Sequence, residues 1–211
     1  MNPIVEGIGL LGGAFGLFIS VPQIVRIIRT KSHVGVSLSS WLIYFLSMSS
    51  WSAFGFRYHS PSQIISNTIA LSFTGLLSWM LLSENLSTKV KFSKSAALAI
   101  LLALGAGCFA VVTFSPEPVV NVFLILFLYS RVPQVIESYK SYRSGRQTVV
   151  SMPTYALSAL SAFTWIVYGI LTGLTMIIVA SSIVLGLSLL VFIFETLAQK
   201  KAQKMDQVGQ G

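Results

Sequence analysis

The chain has 211 residues, of which 54% are hydrophobic and only 9% are charged. Soluble domains carry about 25% charged residues, so this composition excludes an ordinary water-facing surface, and it also excludes a disordered chain. The single cysteine, Cys108, excludes an intrachain disulfide and a multi-cysteine metal site. The composition therefore predicts an integral membrane protein.

Stretches without Asp, Glu, Lys or Arg, and one stretch that contains only Arg131, locate the predicted membrane-spanning helices. A helix needs about 20 mainly apolar residues to cross the hydrocarbon core of a bilayer. The longest stretch is divided by a turn predicted near Gly169 to Thr175. The sequence thus predicts an all-α integral membrane protein with seven transmembrane helices, at about 4–28, 36–57, 62–83, 95–115, 118–138, 150–171 and 174–195.

Basic residues cluster at the ends of alternate predicted helices. They form four triplets: Arg26, Arg29 and Lys31; Lys89, Lys91 and Lys94; Lys140, Arg143 and Arg146; and Lys200, Lys201 and Lys204. Alternate connections share one side of the membrane, and Lys and Arg accumulate on the cytoplasmic side. This pattern predicts a cytoplasmic C-terminus and an N-terminus outside the cell or in a lumen. Because the net charge of +8 follows this topology, it does not indicate a nucleic-acid partner.

Two Pro-Gln pairs mark an internal repeat. Pro133-Gln134 in helix 5 follows Pro22-Gln23 in helix 1 by 111 residues. Three further pairs recur at a spacing of 114 residues: Ser47 and Ser161, Trp51 and Trp165, and Gly55 and Gly169. Helices 1 to 3 are therefore predicted to repeat as helices 5 to 7 in the same direction, with helix 4 as an unpaired connector.

The repeat predicts how the chain is divided. A first triple-helix repeat covers 1–86, a linker with helix 4 covers 87–116, a second triple-helix repeat covers 117–197, and a cytoplasmic tail covers 198–211. Parallel repeats of this kind place a substrate site near the middle of the membrane, where the halves meet.

These motifs resemble the PQ-loop superfamily. The resemblance rests on the two Pro-Gln pairs, on Thr30-Lys31-Ser32 after the first pair, and on a Trp in the second helix of each half. The superfamily includes the SWEET sugar uniporters and cystinosin-like amino-acid exporters, and the KDEL receptors share its architecture. The resemblance spans nearly the whole chain and implies two parallel triple-helix repeats joined by a linker helix.

Prolines are candidate hinges. A proline inside a helix removes one backbone hydrogen bond and crowds the preceding turn, although membrane helices also tolerate proline without a further role. SWEET-like proteins rock their halves about such prolines, so the resemblance implies hinges at Pro22-Gln23 and at Pro133-Gln134. It also implies one at Pro153, whereas Ser39 stands at the corresponding place in the first half.

Trp51 and Trp165 are candidate substrate-binding residues. Helical spacing puts Ser47 and Gly55 on the same face as Trp51, and this face recurs around Trp165. An indole ring offers an apolar plane and one donor, which suits the CH groups and hydroxyls of a sugar. The alternative is structural, because small residues let membrane helices pack closely and Trp favours the membrane interface.

Asn67, Ser181 and Arg131 complete the candidate site. In SWEET-like proteins an Asn of each half joins the Trp residues; Asn67 matches one of them, and Ser181 stands at the place of the other. Asn67 could instead bond a neighbouring helix. Arg131 lies deep in helix 5, where it either snorkels to the interface or faces the cavity as an anion-binding or gating group.

The acidic residues bear on the mechanism. All six, Glu6, Glu84, Glu117, Glu137, Glu195 and Asp206, fall at or beyond predicted helix ends, which leaves no acid for a proton relay in the middle of the membrane. The sequence favours a facilitative, alternating-access carrier of a neutral polar solute, with a sugar as the first choice. A cystinosin-like carrier of amino acids or other small metabolites and a KDEL-receptor-like sorting receptor stay open as alternatives.

Other partners receive less support. No cluster of His, Cys and carboxylates indicates a metal site or a catalytic centre, so neither a cofactor nor an enzymatic activity is expected. The expected partners are the small solute and the lipid bilayer, and a homo-oligomer stays open.

Overall fold

A computed structural model of the chain describes residues 2–30, 38–83, 92–144 and 152–208, with side chains except at 19–24, 26–28, 30, 130, 152 and 202–208. The described residues form helices without strands, which confirms the predicted all-α fold. The helices are α1 (Pro3–Thr30), α2 (Leu38–Arg57), α3 (Pro61–Ser83), α4 (Lys94–Phe114), α5 (Glu117–Leu128), α6 (Val132–Ser144), α7 (Met152–Thr172) and α8 (Thr175–Val208), with a 3-10 turn (Tyr129–Arg131) between α5 and α6.

The composition of these helices suits a membrane. Within the described part of the chain, five segments are long and apolar enough to cross one: Pro61–Ser83, Lys94–Phe114, Glu117–Ser144, Pro153–Thr172 and Thr175–Lys201. A shorter apolar stretch, Pro3–Phe18, lies in α1. In α2 the serines lower the hydropathy, but Ser49, Ser50 and Ser52 are buried inside the protein. The protein is an integral, multi-pass membrane protein.

Most predicted helix bounds lie within a few residues of the observed ones, and two helix ends differ. The fifth predicted helix continues to Ser144 instead of ending near 138, and the last continues to Val208 instead of ending near 195. Both extensions are polar, so a search for charge-free stretches ends them too early. The predicted starts at 36 and 150 lie outside the described residues.

The fifth predicted helix, at about 118–138, lies within one candidate membrane span, Glu117–Ser144, and contains a 3-10 turn at Tyr129–Arg131. Pro133 has no N–H to donate to the carbonyl of Tyr129, four residues earlier, and its ring crowds that carbonyl. The N–H of Val132 donates to the Tyr129 carbonyl instead. This shorter hydrogen bond tightens the backbone into the 3-10 turn between α5 and α6.

The chain forms two compact units, Met1–Phe127 and Leu128–Gly211. In the first unit α3 packs against α1 and α2, and α4 packs against α2 and α3. In the second unit α8 packs against α6 and α7. Helix 4, predicted from sequence as an unpaired connector, therefore contributes to the core of the first unit. The four-part division of the chain stays a prediction.

Arg57 fixes the end of α4 to the end of α2. Its Nη1 atom donates to the carbonyl oxygens of Val112 and Ser115, both at 2.7 Å. The last carbonyls of a helix have no partner within the helix and carry the negative end of its dipole. A cation at this position therefore stabilises α4.

The turns of the α2–α3 and α7–α8 hairpins repeat in atomic detail. His59 and Gly173, which are 114 residues apart, both adopt a left-handed backbone, with φ of 50° and 71°. Equivalent backbone hydrogen bonds close the two turns, from Ser60 N to Gly55 O at 2.9 Å and from Leu174 N to Gly169 O at 3.0 Å. The spacing of 114 residues found in the sequence thus holds for backbone conformation and hydrogen bonding.

Gly55 and Gly169 are the points of closest approach in these hairpins. A Cβ atom on Gly55 would lie 2.8 Å from the backbone nitrogen of Ile64, and one on Gly169 would lie 2.8 Å from Cγ1 of Ile178. Both glycines are buried. They let the two helices of each hairpin pack closely.

Candidate functional site

Trp51 and Trp165 occupy equivalent places in the two units. The Trp51 ring contacts Phe54, and the Trp165 ring contacts Tyr168, with centroids 5.4 Å apart in both pairs. Phe54 and Tyr168 are fully buried, whereas both Trp rings are half-buried. Each indole is thus held by a buried ring and keeps part of its surface exposed, an arrangement that suits stacking against a ligand.

Asn67 forms an amide pair with Gln63 inside α3. Its Nδ2 atom donates to the Gln63 backbone carbonyl at 2.8 Å and also contacts Oε1 of the Gln63 side chain. Both contacts lie within one helix, unlike the interhelical bond considered from the sequence. Gln63 was not predicted as a site residue, although two amides four residues apart in an apolar helix indicate such a pair. The corresponding residues of α8 are Ile177 and Ser181.

The surroundings of Asn67 fix α3 on two sides. The hydroxyls of Ser52 and Thr68 share a hydrogen bond of 2.8 Å that joins α2 to α3. Gly13 of α1 lies so close to α3 that a Cβ atom there would lie 2.0 Å from Oγ of Ser66. The two contacts involve Ser66 and Thr68, the residues directly before and after Asn67. They therefore fix the position of this part of α3 relative to α1 and α2.

The serines of the candidate site are only partly covered. Ser47 lies on α2, Ser161 on α7 and Ser181 on α8, and all three are half-buried. Ser47 precedes Trp51, and Ser161 precedes Trp165, by four residues, so each pair shares a helix face. Trp51 and Asn67 belong to the first unit, and Trp165 and Ser181 belong to the second.

The candidate hinge residues lie in different backbone settings. Pro22 and Gln23 lie inside α1, which keeps its α-helical form through both residues, and their side chains are outside the description. Pro133, which is exposed, and Gln134, which is half-buried, lie in the first turn of α6 just after the 3-10 turn.

Pro153 is the second residue of α7, where a proline removes no intrahelical hydrogen bond. Ser39 is likewise the second residue of α2. At this position Pro153 favours the start of α7, whereas Pro133 interrupts the helical backbone between α5 and α6.

Arg131 contacts the helix that carries Trp165. Its Nη1 atom donates to Oγ of Ser158 on α7 at 3.3 Å, and Ser158 shares a hydrogen bond of 2.9 Å with Ser188 on α8. Both serines are buried, while Arg131 itself is exposed. Ser158 lies on the same face of α7 as Ser161 and Trp165. Arg131 therefore reaches towards the end of that face.

The sequence predicts that Glu195 lies at a helix end, but in the structure Glu195 lies inside α8. A carboxylate ends the apolar stretch of α8 but not the helix, which continues to Val208. Glu195 is 0% exposed, and both Glu195 and Arg131 interact electrostatically with Tyr155 of α7. It lies about 30 Å along α8 from Thr175, which is about the thickness of a hydrocarbon core. Glu195 is thus a buried acid towards one side of the membrane.

The polar groups are distributed differently in the two units. The amide pair of α3 corresponds to Ile177 and Ser181 in α8. Conversely, the group formed by Arg131, Ser158 and Ser188 corresponds to the uncharged residues Ser20, Tyr44 and Thr74. The aromatic part of the candidate site is duplicated, whereas its hydrogen-bonding part is not.

The described residues offer no cluster of ligands for a metal ion, since no group of three or more His, Cys, Asp or Glu side chains comes together among them. Cys108 is buried in α4.

Comparison with known proteins identifies the repeat. Residues 4–64, which cover α1, α2 and the start of α3, match the family model of the PQ-loop repeat. This stretch of the chain is similar to a PQ-loop repeat. A solved structure of a eukaryotic SWEET transporter matches the chain with a TM-score of 0.71 at 17% identity, covering 93% of this chain and 97% of that chain. No curated protein matches the sequence. The chain thus shares the fold of that transporter over nearly its whole length.

Proposed function

We propose that this chain is a membrane transporter of the PQ-loop kind, a facilitative carrier that moves a neutral polar solute by alternating access, with a sugar as its first-choice solute. The observation that carries the proposal is the duplicated aromatic site. In each unit a half-buried Trp stands on a buried ring at the same ring distance of 5.4 Å. Each of these indoles offers an apolar face that suits the CH groups of a sugar ring.

Hydrogen-bonding groups near each Trp support a polar solute. In the first unit the proposed binding residues are Ser47, Trp51 and Asn67, with Gln63 holding the Asn67 amide. In the second unit they are Ser161, Trp165 and Ser181. Hydroxyl and amide groups both donate and accept, as a sugar requires, and carry no charge.

The backbone around Pro133 supports a hinge. Its 3-10 turn directly follows the division between the two units at Phe127 and Leu128. A helix with an interrupted hydrogen-bond pattern bends at lower cost than an intact one. We therefore assign the larger change of backbone angle during transport to Pro133-Gln134, and a smaller one to Pro22-Gln23.

The proposed transport is not driven by protons, because the buried acid Glu195 lies towards one end of its membrane-crossing helix. The proposed topology has the N-terminus outside or in a lumen and the C-terminus in the cytoplasm. It follows from the basic residues at the ends of alternate helices, such as Lys94, Arg143 and Lys200.

One contact favours a second candidate, a carrier of amino acids or other metabolites that bear a carboxylate. Arg131 donates to Ser158 at 3.3 Å and so reaches the face of α7 that carries Trp165. A guanidinium group at that point would bind a carboxylate with two parallel hydrogen bonds. The two candidates differ in the charge of the solute.

Uptake into liposomes tests the proposal. Purified protein is challenged with labelled hexoses, disaccharides and amino acids, with and without a pH gradient. We expect sugar uptake without a gradient. Trp51→Phe and Trp165→Phe should each lower it about two- to tenfold, since each removes the indole N–H donor and a typical hydrogen bond contributes about 0.5–1.5 kcal/mol. Trp79→Phe, outside the candidate site, is the matched control and should retain parental uptake.

Other results would contradict parts of the proposal. Amino-acid uptake that is lost in Arg131→Gln, without uptake of any sugar, would replace the first candidate with the second. Uptake that requires the pH gradient would overturn the uncoupled mechanism. If no solute were taken up and Trp51→Phe bound every tested solute as the parent does, the carrier itself would be refuted.

A further inference from the structure

A deep groove lies in the first unit, away from Trp51 and Asn67. It runs between α3 and α4 above a floor formed by α2, and its volume is about 750 Å³. Phe45 lies in its floor, Leu76 and Trp79 line it from α3, and Leu102 and Ala106 line it from α4. This volume lies within the range of about 300–1,000 Å³ that is typical of ligand sites.

Glycine and alanine residues create the groove, because their small side chains leave space between α3 and α4. Gly75 of α3 and Gly105 of α4 approach the ring of Phe45 from two sides, and a Cβ atom on either glycine would lie 3.2 Å from that ring. Next to them, Ala106 and Ala110 are small and exposed. The groove is therefore built into the sequence of two helices, and larger side chains at these positions would fill it.

The lining presents hydrocarbon rather than hydrogen-bonding groups. Two serines line the groove, but the Ser49 hydroxyl donates to the Gly105 carbonyl at 2.8 Å and the Ser72 hydroxyl donates to the Thr68 carbonyl at 2.9 Å. The remaining lining is aliphatic and aromatic. A sugar would find few partners here, whereas an acyl chain would lose nothing by leaving the bilayer for this surface.

One end of the groove carries a positive charge. Leu98, Leu102 and Ala106 follow Lys94 at steps of four residues, so all lie along one side of α4. The Trp79 indole N–H donates to the Lys94 carbonyl at 3.0 Å, which joins the lining of the groove to the start of α4. The Lys94 side chain is exposed.

We propose that the groove binds one anionic phospholipid, with an acyl chain along α4 and the phosphate at Lys94. An apolar channel that ends at a Trp and a cation matches an amphiphile whose head is negative. Lys94 lies at the end of α4 where the lysine triplet predicts the cytoplasmic leaflet, which holds the anionic lipids of a cell membrane.

A second copy of the chain fits the groove less well. The chain has fourteen basic and only six acidic residues, so a partner surface of the same chain offers few groups to place against Lys94. Like charges that meet at an interface oppose association. The charge at the groove's end therefore favours the lipid.

Quenching of Trp79 fluorescence tests the proposal. The protein is placed in phosphatidylcholine bilayers that contain a small fraction of lipid with brominated acyl chains, either phosphatidylglycerol or phosphatidylcholine. Bromine quenches an indole only on contact, and the difference between the parent and Trp79→Phe isolates the signal of Trp79. We expect brominated phosphatidylglycerol to quench Trp79 several-fold more strongly than brominated phosphatidylcholine.

Variants separate the head group from the acyl chain. Lys94→Gln should reduce the preference for the anionic lipid about fivefold, because one basic residue near an anionic lipid contributes about 1 kcal/mol. Ala106→Phe fills the groove and should abolish the preference. Ala103→Phe places the same ring on an exposed position of α4 outside the groove lining and should behave as the parent.

Three results would overturn the proposal. These are equal quenching by the two brominated lipids, identical behaviour of Ala106→Phe and Ala103→Phe, and quenching that appears only when the protein is diluted in the bilayer, which would indicate a second copy in the groove. Native mass spectrometry supplies an independent reading, with a phospholipid retained by the parent and lost from Ala106→Phe. Transport is not measured in either experiment, so the outcome is independent of the proposed carrier function.

Discussion

Adding one methyl group at Gly55 should destabilise the protein, whereas adding it at Gly107 should not. A Cβ atom on Gly55 would lie 2.8 Å from the Ile64 backbone nitrogen and 2.9 Å from Cβ of Gln63, while one on Gly107 meets nothing within 4 Å. Backbone atoms cannot rotate away, so α2 and α3 would have to separate. Overpacking of this kind costs about 1–3 kcal/mol, and alanine at Gly107 gains about 0.5–1 kcal/mol from its lower conformational entropy.

Gly169 provides an intermediate case. Its Cβ atom would meet Cγ1 of Ile178 at 2.8 Å and the Ile178 backbone nitrogen only at 3.2 Å. A side-chain atom can move by rotation about χ1, so the α7–α8 hairpin should tolerate alanine better than the α2–α3 hairpin. From the most to the least stable, we expect Gly107→Ala, then the parent, then Gly169→Ala and finally Gly55→Ala.

The buried thiol of Cys108 reports unfolding in this series, because a thiol-reactive fluorophore labels it when α4 opens. A change of 1 kcal/mol shifts the unfolding temperature of a chain of about 200 residues by about 2–4 °C. Gly55→Ala should therefore unfold about 2–12 °C below the parent, and Gly107→Ala about 1–4 °C above it. The packing argument is refuted if Gly55→Ala unfolds at or above the temperature of Gly107→Ala.

Three further predictions concern single contacts. Arg57→Gln should lower the unfolding temperature by about 3–12 °C, because hydrogen bonds from a charged group to the carbonyls that end α4 contribute about 1.5–3 kcal/mol; a smaller loss in the same thiol assay would contradict the capping role. Ser52→Ala and Thr68→Ala should each cost about 0.5–1.5 kcal/mol, and the double variant should cost less than their sum in a double-mutant cycle. Pro133→Ala should slow uptake in liposomes with little change in solute binding, whereas equal slowing by Pro153→Ala would contradict a hinge specific to Pro133.

Much of the fold was predictable because the membrane imposes it. The charge-free stretches locate the observed helices, and the spacing of 114 residues predicts equivalent places for Trp51 and Trp165. However, hydropathy indicates which residues contact lipid and not which residues are helical. It therefore ends the last helix near Glu195, although α8 continues to Val208.

Side-chain partners were less predictable, since they depend on how each helix is rotated about its axis. The sequence singled out Asn67 but not the buried Gln63 that contacts it. It left two orientations open for Arg131, and the structure places the guanidinium group on Ser158. The 3-10 turn before Pro133 follows from the missing N–H, but the sequence predicts only a kink there, not which carbonyl finds a new partner.

The two hairpins also bear on the order of folding. In each unit two helices that adjoin in sequence, α2 and α3 or α7 and α8, pack directly across a short turn. The helix that precedes each hairpin, α1 on α3 or α6 on α8, must reach past an intervening helix. Contacts between residues close in sequence form faster than contacts that must close a long loop. During synthesis, each half can therefore complete its own hairpin first and then recruit the helix that preceded it, so duplication of the sequence also duplicates a route of assembly.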